Sequence, residues 1–371
     1  MTRRIAEKGG VNLAQGFPDF NPPEEIVEAA VKAICDGYNQ YSVTWGSPRL
    51  RNAISEKVKW FNGISAHPDK NITVCCGATE AMMSTMLAVI DPGDEVIIFE
   101  PYYENYGPDA IVSGAVPIYV QLKEPDFSFD QIELEKAFSD KTKAIIINTP
   151  HNPSGKVFSK EELEFIAKLC VKYDVLVITD EIYEHIIYDG KSHISPAVIN
   201  GLEERTVTIS GMSKTYSATG WRIGWTIAPE YISNAIRKAH DFLTVGAPAP
   251  LQEAGVTALN LPIEYYTNLK DFYQHKRDFL IPELISAGFN PYTPKGAYYV
   301  MCGTESFGAT NSFDFSIKLI EKIGLATVPG SSFYSTPEKD KGKIRFAFCK
   351  TEATLIKAIE KLQSLKEISL D

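Results

Sequence analysis

The chain lacks several features that would mark other classes of protein. Among its 371 residues, no apolar run approaches the ~18 residues that a membrane-crossing helix needs. Its first 17 residues, MTRRIAEKGGVNLAQGF, carry basic side chains without the apolar stretch of a secretory signal. We therefore expect no membrane partner and a cytoplasmic location.

A concentrated basic segment is also missing. The chain has 37 Lys and Arg against 47 Asp and Glu, which gives a formal net charge of −10. A chain of that sign repels nucleic acid unless its basic residues are segregated on one face. We expect no nucleic-acid partner. Small anionic ligands are not excluded, because local groups hold them.

Cysteine and histidine are scarce, with six of each. The cysteines form no CxxC pair, and the histidines show no metal-ligand spacing. This pattern predicts buried thiols in a reducing compartment, with neither a disulfide framework nor a metal site. The cysteines are Cys35, Cys75, Cys76, Cys170, Cys302 and Cys349.

From residue 72 onward, short β-branched runs alternate with helical patterns such as Glu161–Tyr173. The alternation predicts an α/β domain on a mostly parallel seven-stranded sheet flanked by helices. Ligands of such sheets bind beyond the carboxyl ends of the strands, so motifs at those ends carry most weight. The predicted strands are Ile72–Cys76, Glu95–Phe99, Ile118–Gln121, Ala144–Asn148, Val175–Thr179, Thr206–Ser210 and Ile223–Ile227.

Beyond residue 259 the pattern changes to long helices around short strands. With residues 1–40, which hold irregular Pro-rich chain and the helix Glu24–Asp36, this part predicts a smaller α+β domain built from both termini. The predicted domains are 41–258 for the large one, and 1–40 with 259–371 for the small one. Its predicted elements are the helices Tyr265–Ala287, Ser312–Ile323 and Thr351–Lys366 and the strands Tyr298–Met301 and Lys343–Phe348.

A lysine follows one of the predicted strands directly. In TVTISGMSKTYSATGWRIGWTI, Lys214 lies in a turn of small residues between two apolar runs. Most lysines in such turns are solvated, but this position favours a side chain that projects into a cleft. A buried amine loses its charge readily and can form a Schiff base with an aldehyde. Arg222, eight residues on, is a cation suited to a phosphate.

Three other strand ends carry polar groups. In VLVITDE, a strand ends at Asp180, which could pair with a protonated ring nitrogen or simply cap a helix. Gly77 and Thr79 join a strand to a helix, where N–H groups and a hydroxyl form an anion cradle, although a plain threonine cap explains them equally well. Asn152, in NTPHNPSG, is either a functional amide or part of a structural turn. Lysine, acid, cradle and arginine together describe a site for pyridoxal 5'-phosphate (PLP).

The chain also resembles a known family. The segment GMSKTYSATGWRIG is similar to the PLP-lysine signature of the class I aminotransferases, which are PLP enzymes of fold type I. QGFPDF, NQYS, EPYYENY, TPHNPSGKVFS and ITDEIY resemble the kynurenine/glutamine transaminase (cysteine-conjugate β-lyase) branch most. The resemblance extends from QGFPDF to IRFAFCK, and it implies a homodimer with shared active sites.

The resemblance implies a role for each matching residue. For catalysis, Lys214 would form the internal aldimine and transfer protons, Asp180 would pair with the ring nitrogen, and Tyr183 with Asn152 would contact the ring's phenolic oxygen. The phosphate would be held by Gly77, Ala78, Thr79, Ser213 and Arg222, and by Tyr41 of the other subunit. Tyr103 would stack on the ring, while Gly16, Asn152 and Arg345 would bind the substrate's α-carboxylate.

The sequence departs from the family pattern at four places. The family often has Ser at the position of Gly211, so Ser210 or Ser213 would have to supply the hydroxyl. The aromatic–His pair of the kynurenine branch is replaced by Val245-Gly246. An aromatic substrate would therefore lose the pocket walls that this pair provides. Ile111 stands where one aspartate aminotransferase subgroup has Lys, so the sequence shows no evident residue that would bind the side-chain carboxylate of a dicarboxylic substrate. The leader before QGFPDF is expected to be shorter than in the family.

We therefore expect a PLP-dependent aminotransferase working by ping-pong half-reactions. The amino donor would be a neutral or aromatic L-amino acid (Gln, Met, Phe or kynurenine-like) and the acceptor a 2-oxo acid. Aspartate aminotransferase and a PLP C–S β-lyase of the same fold are the alternatives. A non-catalytic PLP-binding regulator or an α/β domain without PLP would also fit parts of the pattern.

Overall fold

The β-branched runs of the sequence form the strands of one large sheet. The structure, a computed structural model, describes residues 1–367; residues 368–371 of the predicted small domain lie outside the described part. The strands are β1 Val11–Asn12, β2 Ile72–Cys75, β3 Glu95–Glu100, β4 Val116–Lys123, β5 Ser128–Phe129, β6 Thr142–Asn148, β7 Leu176–Asp180, β8 Thr206–Gly211, β9 Gly224–Ile227, β10 Asn290–Tyr292, β11 Tyr299–Gly303, β12 Leu325–Ala326, β13 Val328–Pro329 and β14 Ile344–Ala347.

Helices cover the sheets and connect their strands. They are α1 Thr2–Lys8, α2 Glu24–Cys35, α3 Pro48–Lys57, α4 Ala78–Val89, α5 Tyr106–Val112, α6 Gln131–Ala137, α7 Lys160–Tyr173, α8 Met212–Thr215, α9 Glu230–Thr244, α10 Ala249–Leu259, α11 Ile263–Ser286, α12 Ser312–Ile323 and α13 Glu352–Gln363. Among the helices within residues 1–367, none is long and apolar enough to cross a membrane.

The large sheet has the strand order β2-β9-β8-β7-β6-β3-β4-β5. Strands β8, β7, β6, β3 and β4 run parallel, while β9 is antiparallel to both β2 and β8. The prediction of seven strands is wrong by one, because β5 also pairs with β4. This strand has two residues, too few for a sequence periodicity to show.

Burial explains why these segments are strands. β6 (TKAIIIN) and β7 (LVITD) are almost entirely buried, as expected for parallel strands covered by helices on both faces. The amide of Asn148 and the carboxylate of Asp180 lie where these two strands end. The connecting helix α7 begins with a capping box in which Ser159 and Glu162 bind each other's backbone N–H groups.

The C-terminal part forms a second sheet of order β10-β11-β14-β13, antiparallel throughout. Strand β1 pairs in parallel with β12, which attaches the start of the chain to this part. Helix α1 was not predicted, because seven residues with one buried apolar side chain, Ile5, give no clear pattern. The division into two domains stays a prediction.

Helix α2 packs differently from the expectation for residues 1–40. Its buried residues Ile26 and Ala30 join a core cluster with Ala254, Ala258 and Leu259 of α10, which lies in the predicted large domain. Residues on both sides of β1, including Ile5 and Phe20, pack with the C-terminal part instead.

The prediction of buried cysteines is wrong for Cys35. That thiol is exposed near the end of α2, and Cys76 is half-buried, whereas Cys75, Cys170, Cys302 and Cys349 are buried. All six are free thiols.

A buried ion pair ties α3 to the strands behind the candidate site. Lys57 Nζ lies 2.5 Å from Glu184 Oε1, and both side chains are at most 3% exposed. Glu184 also accepts hydrogen bonds from Asn62 and from Ser210 at the end of β8. Burial opposes ionisation of Glu184, but the nearby positive charge of Lys57 brings its pKa down to about 2.

Replacing Lys57 with Met should lower the free energy of unfolding by about 3–5 kcal/mol, because Glu184 would lose its cation in a buried position. Urea-induced unfolding measures the effect. The control is Lys32→Met, since the Lys32–Asp36 pair is largely exposed and its loss should cost less than about 1 kcal/mol. Equal losses in the two variants would contradict the account.

Candidate active site

Most of the predicted site residues line one cavity at the carboxyl ends of the large sheet's strands. β2, β3, β6, β7 and β8 all point their carboxyl ends toward this edge. The predicted residues lining the cavity are Ala78, Thr79, Tyr103, Asn152, Asp180, Tyr183, Ser213, Lys214 and Arg222. Gly16 and Arg345 line an adjoining cavity, which shares Tyr103, Asn152 and Lys214 with the first.

Lys214 lies in the short helix α8, directly after β8. Its Nζ donates a hydrogen bond to the carbonyl oxygen of Gly16 at 3.1 Å. Burial lowers the pKa of Lys214 to about 8, and the positive charges of Arg345 and Arg222 act in the same direction, against Cys349 and Asp180. A large fraction of this amine is therefore neutral, and nucleophilic, at mildly alkaline pH.

Asp180 ends β7 with its carboxylate buried in the cavity. Oδ2 accepts a hydrogen bond from the Tyr106 hydroxyl at 2.7 Å, and Oδ1 accepts one from the Ile182 N–H at 3.1 Å. Burial raises the pKa of Asp180. Within residues 1–367 it forms no salt bridge, so the carboxylate is held in place but lacks a cation.

The anion cradle is built around Gly77 at the start of α4. Gly77 has a positive φ of 84°, and a Cβ there would lie 2.4 Å from Nη2 of Arg222, so the close packing requires glycine. Arg222 donates to the Thr219 carbonyl oxygen at 3.0 Å and forms no salt bridge in the described part of the chain. Helix N–H groups and a free guanidinium thus meet at one point.

The structure decides between the two serines near Gly211. A Cβ on Gly211 would lie 2.7 Å from the Ile223 carbonyl oxygen, so a serine there would need the two strands to move apart. Ser210 donates its hydroxyl to Glu184 at 2.7 Å, behind the sheet. Ser213 lines the cavity. The hydroxyl available to a ligand is therefore that of Ser213.

Arg345, on β14, reaches the boundary between the two cavities. Nη1 donates to Asn152 Oδ1 at 2.6 Å and Nη2 to the Ala14 carbonyl oxygen at 3.2 Å. Its Nε is buried without a partner, and no acid among residues 1–367 forms a salt bridge with it. The rings of Tyr299 and Phe333 flank the guanidinium, with centroids 4.1 and 4.7 Å from Cζ.

Tyr41 lies outside both cavities. Its side chain is 86% exposed and borders a separate surface depression with Gly246 and Cys76. The structure therefore brings it to no site of its own chain. Gly16 lies in the second cavity, where its carbonyl oxygen accepts from Lys214 and from the Tyr298 hydroxyl.

Comparisons with known proteins agree with this geometry. The family model described as aminotransferase class I and II matches residues 8–362. A kynurenine–oxoglutarate transaminase from Dictyostelium discoideum is 38% identical, over 96% of this chain and 91% of its own length. This chain is a class I aminotransferase.

Solved structures of aminotransferases superpose closely on it. The N-succinyldiaminopimelate aminotransferase of Mycobacterium tuberculosis has a TM-score of 0.96 at 36% identity and covers 98% of this chain and 96% of its own. An Escherichia coli protein with a methionine aminotransferase function has a TM-score of 0.94 at 35% identity, with coverages of 98% and 96%. The predictions of family, of fold type I and of a transaminase are confirmed.

The aminotransferase uses PLP, the cofactor of its family. The cavity fits this molecule by charge, because Asp180 is a buried carboxylate without a salt bridge and Arg222 is a guanidinium without one within the described residues. A second carboxylate, Asp109, also lines the cavity. PLP carries a basic ring nitrogen for Asp180 and a phosphate for the Gly77–Arg222 cradle. Its aldehyde can react with the amine of Lys214, because the lowered pKa of this amine increases its uncharged fraction.

Sequence reasoning missed several polar residues of the aminotransferase site, among them Asn105, Asp109, Tyr106, Asn148 and Tyr299. Tyr106 binds Asp180, and Asn148 donates its amide to the Asp180 carbonyl oxygen at 2.8 Å while accepting the Asn152 N–H at 2.7 Å. Tyr299 lines both cavities. Asn148 ends a predicted strand and could have been chosen on that ground, whereas the two tyrosines gave no comparable signal.

Within residues 1–367, two side-chain clusters could geometrically hold a metal ion: Cys75 with Glu80 and His240, and Glu181 with Glu184 and His193. Their carboxylates already have protein partners. Glu80 contacts His240 Nδ1 at 3.0 Å, and Glu181 contacts His193 Nε2 and the Ser195 hydroxyl at 2.6 Å. The prediction of no metal stays a prediction.

The pKa of Lys214 makes the pH dependence of cofactor binding testable. Only the neutral amine attacks an aldehyde, so reconstitution of apoenzyme with PLP should accelerate as pH rises and level off above about 8. Stopped-flow absorbance measures the rate. The control, Nα-acetyl-lysine with PLP, should keep accelerating toward its ordinary pKa near 10.5. An enzyme profile that follows the free amine would contradict the assignment.

Proposed function

We propose that this aminotransferase moves the α-amino group of a neutral or aromatic L-amino acid to a 2-oxo acid in two ping-pong half-reactions. The observation that carries the proposal is the distribution of charge around Lys214. Asp180, Arg222 and Arg345 form no salt bridge within residues 1–367, and their charges match the ring nitrogen and phosphate of PLP and one substrate carboxylate. Two further acids, Asp109 and Glu104, line the first and second cavity respectively.

The chain's residues would hold the cofactor at defined atoms. Asp180 would bind the ring nitrogen, Tyr183 and Asn152 the phenolic oxygen, and Tyr103 one face of the ring. The phosphate would be bound by N–H groups at Gly77, Ala78 and Thr79, the Ser213 hydroxyl and Arg222. When bound, PLP supplies an electron-accepting ring that stabilises negative charge at the substrate's Cα.

Lys214 would then have two tasks. Its Nζ would anchor the cofactor, and with an amino acid bound the same atom would take the Cα proton as a general base and later return it as an acid. Arg345 and Asn152 would fix the α-carboxylate and so orient the Cα–H bond toward this amine. A pKa near 8 suits the exchange of protons in both directions.

The walls of the second cavity support an uncharged donor side chain. Apolar groups of Phe17, Phe313, Val328 and Pro329 line part of it, beside the polar side chains of Gln15, Glu104 and Ser332. Its lining cations among the described residues are Lys214 and Arg345, both already engaged in the proposed chemistry. Ile111, the position at which one aspartate aminotransferase subgroup has Lys, is 61% exposed and lies outside both cavities.

The names of two relatives point the same way, whereas others are named for N-succinyldiaminopimelate and for aspartate, which carry a further carboxylate. Kynurenine and methionine, the substrates named for two of them, have uncharged side chains. Phe313 and Phe17 would supply, from the same chain, aromatic walls that Val245-Gly246 does not.

A homodimer in the cytoplasm completes the proposal. Tyr41 is 86% and Phe242 92% exposed, as expected if these side chains contact a second subunit and Tyr41 reaches the other subunit's phosphate. The six free thiols support a reducing compartment.

A screen of single half-reactions tests the donor class. Holoenzyme is mixed with one amino acid at a time, and conversion of the cofactor's absorbance gives the rate. We expect Phe, Met, Gln and kynurenine to react at least about tenfold faster than Asp. Among the described residues, the second cavity offers a side-chain carboxylate no cation besides Lys214 and Arg345, and it places the acid Glu104 in the lining. An exclusive response to Asp, or to N-succinyldiaminopimelate, would contradict the proposed donor class.

Phe313→Ala tests the apolar wall directly. The rate with Phe should fall about 5- to 30-fold, as expected for a lost aromatic contact, while the rate with Ala stays within about twofold. The control is Ile132→Ala, which shortens a comparably exposed apolar side chain on α6 away from the cavity. Equal losses for Phe and Ala would contradict a wall function of Phe313.

Lys214→Ala tests the anchor. This variant should lose turnover and the visible absorbance of covalently bound cofactor, whereas Lys238→Ala, at an exposed position on α9, should keep both. Normal transamination by the Lys214 variant would contradict the proposed mechanism.

The C–S β-lyase reading predicts a different product from the same site. With one cysteine S-conjugate as substrate, a lyase yields pyruvate and thiol, and a transaminase yields the intact 2-oxo acid. We expect the 2-oxo acid to dominate, and a large excess of pyruvate would favour the lyase.

A further inference from the structure

Tyr299 lies where the cofactor cavity meets the substrate cavity. It begins β11, is 3% exposed, and lines both cavities. The residue contacts two neighbours through different parts of its side chain. The hydroxyl contacts Tyr183, and the ring face contacts Arg345.

The hydroxyl contact has a direction. The oxygens of Tyr299 and Tyr183 are 3.0 Å apart, and either could donate. In the proposed function Tyr183 points its own proton into the cofactor cavity to bind the phenolic oxygen, and Tyr299 would then be the donor to Tyr183. A donor that receives a hydrogen bond on its oxygen donates more strongly itself.

Gly16 makes room for this arrangement. A Cβ at Gly16 would lie 1.7 Å from the Tyr299 hydroxyl oxygen. Any side chain there would displace the hydroxyl from Tyr183. Gly16 also accepts the hydrogen bonds of Lys214 and Tyr298 through its carbonyl oxygen, so three elements of the site meet at this glycine.

The ring of Tyr299 holds the guanidinium of Arg345, its second neighbour, in position. The Arg345 Cζ lies 4.1 Å from the Tyr299 ring centroid, within the range of a cation–π contact, and Phe333 covers it at 4.7 Å. Two rings thus hold the guanidinium while Nη1 is tied to Asn152. The position of the carboxylate-binding group therefore depends on the Tyr299 ring but not on its hydroxyl.

We propose that Tyr299 is a positioning residue of the transaminase, whose hydroxyl orients Tyr183 toward the cofactor and whose ring orients Arg345 toward the substrate carboxylate. This inference rests on the proposed function, in which Tyr183 and Arg345 bind those two groups. The separation of the two contacts within one side chain allows each to be removed alone.

Tyr299→Phe removes the hydroxyl and keeps the ring. The visible absorbance of the holoenzyme changes with pH, and its midpoint should rise by roughly 0.3–1 pH unit, because a weaker donation from Tyr183 leaves the phenolic oxygen more basic. Affinity for 3-phenylpropionate, a substrate-like carboxylate without an amino group, should stay within about twofold because the ring remains. Spectrophotometric titration and calorimetry measure the two quantities.

Tyr299→Leu removes the ring as well. The dissociation constant of 3-phenylpropionate should then rise about 5- to 30-fold, because Arg345 loses one of its two flanking rings. The control is Tyr266→Phe, which breaks a second buried pair of tyrosine hydroxyls, Tyr216 with Tyr266 at 2.8 Å, away from both cavities. It should change neither quantity.

An unchanged midpoint in Tyr299→Phe would overturn the role of the hydroxyl. Unchanged carboxylate affinity in Tyr299→Leu would overturn the role of the ring. Both results leave the proposed function standing, because wild type and Tyr266→Phe would still show the pH-dependent absorbance. A wild-type protein without any such absorbance would overturn the proposed function together with this inference.

Discussion

The site depends on charges that the protein buries without neutralising. Asp180, Arg222 and Arg345 form no salt bridge within the described residues, and Lys214 has only the Gly16 carbonyl oxygen as a hydrogen-bond partner. Burying unpaired charge is costly, so neutral hydrogen bonds hold each group in position instead. Binding of a ligand with the opposite charges therefore lowers the free energy of the protein–ligand system. The low pKa of Lys214 and the raised pKa of Asp180 are two consequences of the same burial.

The sheet holds the groups of the site in this arrangement. Strands β6, β7 and β8 are almost fully buried along their length, and Asn148 and Asp180 lie where β6 and β7 end. Behind this edge, Lys57, Glu184 and Ser210 form a satisfied network that holds the end of β8 in place. In front of it, β14 carries Arg345 from the second sheet to Asn152 at the end of the first. The reacting groups thus come from both sheets, and their spacing is set by packing rather than by the loops alone.

The sequence allowed the strand-end residues to be predicted because a buried strand leaves a clear apolar run, and the residue that follows it is unambiguous. Lys214, Asp180 and Asn152 were found in this way, and the family resemblance supplied their roles and Arg345. Contacts between distant segments could not be read: Tyr106 is 74 residues from Asp180, and Tyr299 is 116 residues from Tyr183. The choice of Ser213 over Ser210 depends on which side of the strand each hydroxyl faces, and the two-residue strand β5 and the short helix α1 have no period to detect. The place of Tyr41 in a site requires a second subunit.

The central claim is that a cationic group of the ligand, the protonated ring nitrogen, pairs with the carboxylate of Asp180. Equilibrium binding of apoenzyme to PLP and to its 1-deaza analogue, in which a C–H replaces the ring nitrogen, measures this contribution directly. The account predicts that wild type binds PLP at least about tenfold more tightly than the analogue and that the difference disappears in Asp180→Ala. Equal affinities of wild type for the two molecules would contradict it.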